Sequence, residues 1–136
     1  MNNDLGFEIH LDLPYDETLE RVAAVLKSEG FGVLTRIDVK ATLKEKLDQD
    51  FRPYTILGAC NPPLAHRALS TDARAGLMLP CNVTVEAITS GGTLVRIADP
   101  AMMLQVGALS ENSTLRQIAD EARQRLERVA HQLEQL

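Results

Sequence analysis

Cysteine occurs twice in this chain of 136 residues, and each time asparagine follows it: Cys60-Asn61-Pro62 and Pro80-Cys81-Asn82. A thiol can act as a nucleophile, as a ligand to a soft metal, or as a small apolar side chain in a core. Two thiolates suit Zn or Cu(I), but a closed structural zinc site wants four ligands. The histidines His10, His66 and His131 are scattered. A complete zinc cage within one chain is therefore not expected, whereas a site shared across a dimer by Cys60 and Cys81 is geometrically open. Nucleophilic chemistry at Cys60 would need a base, for which His66 is the candidate. The plainer reading of His66 is a solvent-facing helix residue. Asn61 and Asn82 read either as an amide pair that holds a ligand or as residues that satisfy nearby backbone groups. Gly58 and Gly76 read as close-approach or turn residues, because no glycine-rich phosphate loop surrounds them.

The elements that position these groups follow from local pattern. Tyr54 to Ala59 is a short apolar run with β-branched Thr55 and Ile56, which predicts a strand. Asn61 is a fit N-cap, and Pro62 suits the first helical position. Leu64, Ala65, Ala68 and Leu69 then predict a helix from about Pro62 to Leu69. Cys60 sits just before that helix start, where the partial positive charge should lower its pKa if the sulfur points that way. Leu77 to Ile88 reads as a strand, although Pro80 cannot donate to a ladder. Pro80 therefore belongs at an edge, a bulge or the start of the paired segment. If the two strands pair, the thiols approach each other.

Stepping outward, Phe7, Ile9, Leu11 and Leu13 alternate with polar residues and predict a half-buried strand. Leu19, Val22, Ala23 and Leu26 predict a helix, with Gly30 as its stop. Phe31 to Val39 predicts a second strand. Thr42-Leu43-Lys44-Glu45 has capping-box spacing and opens a short helix. Ser90-Gly91-Gly92 predicts a hairpin turn between Val83–Ile88 and Thr93–Ala98. Met102 and Met103 follow in a short apolar segment, read first as core and second as pocket lining. From about Ser113 a long amphipathic helix carries Leu115, Ile118, Ala119, Ala122, Leu126, Val129, Ala130 and Leu133, with its arginines on a solvated face. The order β-α-β-α-β-α-β-β-α predicts an α+β fold, a mostly antiparallel sheet packed by helices on one side.

Composition narrows the function classes. Fourteen basic against nineteen acidic residues leave a net charge of −5, which disfavours nucleic acid as a partner. No apolar run is long enough for a membrane span. The start, Met1-Asn2-Asn3-Asp4-Leu5-Gly6, lacks the pattern of a secretory signal. A reducing cytoplasm with free thiols is the expectation. No repeat or linker divides the chain, so one domain over 1–136 is expected.

Three blocks now carry a family resemblance: Ala41-Thr42-Leu43-Lys44-Glu45-Lys46-Leu47, Tyr54 through Pro62, and Gly76-Leu77-Met78-Leu79-Pro80-Cys81-Asn82-Val83. Together they resemble the domain-of-unknown-function family numbered 302, over essentially the whole chain. The resemblance implies a compact α+β domain with a curved antiparallel sheet that forms homodimers. It marks Gly58, Cys60, Asn61, Pro62, Pro80, Cys81 and Asn82. It implies no activity and names no cofactor.

The leading expectation is a cytoplasmic module that binds a small molecule or a soft metal near Cys60, Asn61, Cys81 and Asn82, with Gly58 and His66 alongside. The first alternative is a thiol-dependent enzyme of sulfur or redox chemistry with Cys60 as its reactive group. The second is a structural or partner-docking domain in which the same residues shape strand–helix corners.

Overall fold

The structure is a computed structural model and describes residues 3–136; Met1 and Asn2, part of the expected domain, lie outside that range. Five strands, β1 (Gly6–Leu11), β2 (Gly32–Asp38), β3 (Tyr54–Cys60), β4 (Cys81–Ala87) and β5 (Thr93–Ala98), form one open sheet. Its order is β1-β5-β4-β3-β2, with every neighbouring pair antiparallel. The helices are α1 (Tyr15–Ser28), α2 (Val39–Leu47), α3 (Pro62–Thr71), α4 (Pro100–Met103) and α5 (Ser113–Glu134). The α+β class and the order of strands and main helices are as the sequence predicts. The short α4 and two 3-10 turns, Ala73–Met78 and Gly107–Glu111, are additions.

Period-two alternation builds the core face. Phe7 pairs with Ile97, Ile97 with Val83, and Val83 with Leu57, so one apolar row crosses four strands. Ile9, Val95, Val85 and Thr55 make the next row in the same way. All of these residues are buried. Above them lie Leu19, Val22 and Leu26 of α1 and the stripe from Leu115 to Leu133 of α5. The opposite face carries charge. There Glu86 is buried and is answered by Arg52 and Arg96, each at 3.4 Å, while Arg96 also donates to Glu8 at 2.9 Å. A buried carboxylate is tolerable only with such partners.

Local boundaries differ from the sequence reading in two places. Helix α2 starts at Val39, capped by Asp38, whose carboxylate accepts from the Ala41 amide at 2.9 Å. Thr42 lies inside that helix and its hydroxyl donates to the Asp38 carbonyl, so the expected capping box is not the start signal. The strand expected from Leu77 begins only at Cys81. Ala73 to Met78 wind into a 3-10 turn capped by Asp72, and a cis Leu79–Pro80 peptide leads into β4. Proline has no amide hydrogen to give the ladder, so pairing starts just after it.

Candidate functional site

Strand β3 ends at Cys60 and strand β4 begins at Cys81, so both thiols belong to one end of the sheet. Ala59 is the register partner of Cys81, and Cys60 pairs with Gly32 on the other side. Both cysteines are free and half-buried. They line a common cavity of about 320 Å3.

Each element contributes to the cavity for a local reason. Asn61 caps α3, its side-chain oxygen accepting from the Leu64 amide at 3.2 Å. With Pro62 at the first helical position, the helix leaves the sheet end and presents Leu64, Ala65, Ala68 and Leu69 to the space. Ile118 and Ala122 of α5 close another wall, and Pro100 and Leu104 a further one. Small side chains leave the hollow: Ala59, Ala65, Ala68 and Ala122 stand where larger residues would fill it. Phe31 and Leu34 border it from the start of β2.

Two glycines hold the frame. Gly30 has φ +86°, a left-handed conformation that suits glycine, and a Cβ there would lie 2.9 Å from the Asn61 side-chain nitrogen. Gly58 lets Thr35 and Pro80 close over β3, since a Cβ would collide with the Thr35 hydroxyl and lie 2.9 Å from Pro80 Cγ. Gly58 thus acts through close approach, one of the two roles its sequence context offers.

The electrostatics are those of an oily site. No charged side chain is among the residues that line the cavity. Burial pushes the Cys60 thiol above its ordinary value. Burial first, and the proximity of Cys60 second, push the Cys81 thiol up from 9.0 to about 11. The start of α3 therefore does not lower Cys60, contrary to the conditional expectation, because desolvation disfavours the thiolate. Near neutral pH both groups are thiols.

The structure brings together Cys60, Asn61 and Cys81. It does not bring the other candidates to the cavity: His66 is exposed on α3, and Asn82 is exposed on β4 opposite Gly58. Met102 is exposed, and neither methionine of that segment lines the cavity. Among the described residues no group of three or more His, Cys, Asp or Glu side chains is placed to hold a metal ion. The sequence reading missed Ala68, Ile118 and Ala122 as cavity residues. Ala65 and Ala68 on the inward stripe of a short helix were the available signal, since alanine at a core position marks missing volume.

The arginines of α5 are more engaged than a solvated face requires. Arg123 donates to Asp99 at 3.1 Å and to Glu127 at 2.9 Å. Arg128 donates to Glu29, and Arg125 donates to the Glu29 carbonyl at 3.3 Å. These contacts pin α5 to the end of α1 and to the turn before α4, which keeps Ile118 and Ala122 in place.

The profile of the family described as "Domain of unknown function DUF302" matches residues 7–133. Among solved structures, the chain is similar to an uncharacterized conserved protein DUF302 from Bacillus stearothermophilus. The two are 31% identical, with 96% of this chain and 99% of that chain covered, at a TM-score of 0.84. No curated protein matches the sequence.

Proposed function

Since the chain belongs to the DUF302 family, whose name assigns no activity, we propose from its own geometry that it is a small-molecule-binding module. The site is the cavity bordered by Cys60, Asn61 and Cys81. The observation that carries the reading is a preformed apolar hollow of about 320 Å3 that both cysteines line. Ligand sites are concave, mostly apolar and largely preformed, commonly of about 300–1,000 Å3. Asn61 serves this site by capping α3 and setting the wall, not by reaching for a ligand.

Thiol catalysis has less support. Both thiols are held protonated near neutral pH, and His66, the base the sequence offered, is exposed and not among the residues lining the cavity. A soft metal also has less support, since among the described residues no group of three or more His, Cys, Asp or Glu side chains is placed to hold one. Free thiols fit a reducing compartment, and we place the protein in the cytoplasm on that ground. We further propose a homodimer formed along the edge of β2, where Leu34 is 67% exposed and Ile37 48% exposed. No helix among the described residues is long and apolar enough to cross a membrane.

The binding reading is tested by thermal shift against a panel of uncharged, anionic, zwitterionic and metal-ion ligands. Protection of Cys60 from iodoacetamide reports whether a hit occupies this cavity. Stabilisation by at least one ligand, with slower alkylation, is the expected result. A panel without any stabilising member overturns it.

A further inference from the structure

The chemistry of the lining restricts what the cavity can accept, an inference that rests on the binding reading above. Its walls come from alanine, leucine, isoleucine, proline and phenylalanine side chains and two protonated thiols. The polar lining groups are Thr35 and Asn61, and the Asn61 oxygen is already occupied by the Leu64 amide. Cations on the neighbouring elements stand outside the lining. Arg67 of α3 faces Glu121 at 3.6 Å, and Arg74 in the following turn holds Asp72 at 2.8 Å. Arg125, behind Asn61, is not among the lining residues; it donates to the Glu29 carbonyl, while its buried Nε has no hydrogen-bond partner among the described residues. A ligand carboxylate, phosphate or ammonium drawn inside would lose its water and gain no opposite charge from the lining.

The rim extends the same character. Leu34 and Leu69 line the cavity and are also exposed, and Leu77, in the turn whose Gly76 lies against Leu69, is 80% exposed. An apolar border around an apolar hollow favours desolvating hydrocarbon at the mouth as well as inside. The volume lies near the lower end of small-molecule sites, which suits a compact ligand of one or two rings.

We propose that the ligand of this site is an uncharged, predominantly hydrocarbon molecule of one or two rings, not a metal ion, an anion or a zwitterionic thiol metabolite. Sulfur beside ring edges adds a favourable contact for an aromatic occupant.

The test compares matched probes. 2-Naphthol and 2-naphthoate differ chiefly in charge; zinc ion and glutathione represent the excluded classes. Binding is read by fluorescence titration for the naphthyl probes and by calorimetry for the others. The expected result is saturable binding of 2-naphthol, with 2-naphthoate weaker by at least about tenfold. Ala68→Leu, which fills the hollow from α3, should abolish 2-naphthol binding while the circular dichroism spectrum is retained. If Ala68→Leu does not fold, Ala65→Leu on the same wall takes its place. Binding of zinc, glutathione or 2-naphthoate with no response to 2-naphthol overturns the ligand class and leaves the binding module standing. Silence from all four probes overturns the ligand class. Silence from the wider panel as well removes the module with it.

Discussion

Cys81 behaves as a neutral, desolvated group, and that has a measurable consequence for stability. Its thiol is held to about 11 in the folded chain, against an ordinary value of 9.0. Between those values the unfolded chain gives up the proton while the folded chain keeps it, so the folded state binds more protons. The contribution is fully present below the unfolded value and is lost as pH rises through the folded one. Denaturant unfolding of the wild type should lose on the order of 2 kcal/mol through this window from Cys81 alone. The difference between wild type and Cys81→Ala should shrink over the same range. A difference that stays flat with pH would remove the desolvation argument. Cys60 moves in the same direction, so iodoacetamide alkylation of Cys60 should accelerate with pH beyond the midpoint of a free thiol. The sequence reading named these two thiols as the centre and brought them together only on the condition that their strands pair, as β3 and β4 do. Their protonation was not legible there. Placement before a helix suggests a lowered pKa, and only the packing of leucines and alanines from distant segments reverses the sign.

Asn61 joins two elements, and its joint roles can be separated. Its side-chain oxygen caps α3, while its nitrogen side rests against Gly30 at the end of α1. Asn61→Ala should cost about 1 kcal/mol through the lost cap, whereas Asn61→Asp, which keeps an acceptor, should cost less. Gly30→Ala should cost about 1–2 kcal/mol from the left-handed backbone, with a further penalty where its Cβ meets the Asn61 amide. The double variant Gly30→Ala, Asn61→Ala should therefore be less destabilised than the sum by about 0.5–1 kcal/mol. Chemical denaturation of the four proteins measures this, and strict additivity would mean that Gly30 and Asn61 do not share a contact. The elements themselves were readable to different degrees. The stripe of α5 and the Gly91-Gly92 hairpin carry long periodicity and explicit turn chemistry, and they fold as that chemistry dictates. The start of α2 was misread because Asp38, the last residue of a strand, reaches the Ala41 amide before Thr42 can act as a cap. The start of β4 was misread because Leu77-Met78-Leu79 is apolar enough for a strand yet too short to outweigh Asp72 and Pro80, which wind and then end it.

At the scale of the whole molecule, β2 is the unfinished part. It is the last strand of the sheet order, and its register with β3 shifts between Val33 and Thr35, near exposed Leu34. An edge with free backbone groups and apolar side chains is a template for another strand, and natural edges are usually guarded by charge or covered. Arg36 and Asp38 give partial protection, and Arg36 already faces Glu20 at 3.6 Å. Pairing of two β2 edges would cover Leu34 and Ile37 and continue the sheet across the dimer. Leu34 also lines the cavity, so a substitution there disturbs association and binding together. Ile37 does not line it, and that separates the two. Ile37→Lys should shift the protein toward monomer in sedimentation equilibrium, weakening association by at least about tenfold. It should leave 2-naphthol binding within about twofold, since no cavity wall changes, and it should not unfold the chain, because surface substitutions usually cost less than about 0.5 kcal/mol. A protein that sediments as a monomer before any substitution would exclude the β2 dimer. An Ile37→Lys protein that loses 2-naphthol while remaining folded would instead show that the cavity depends on the partner chain to close it.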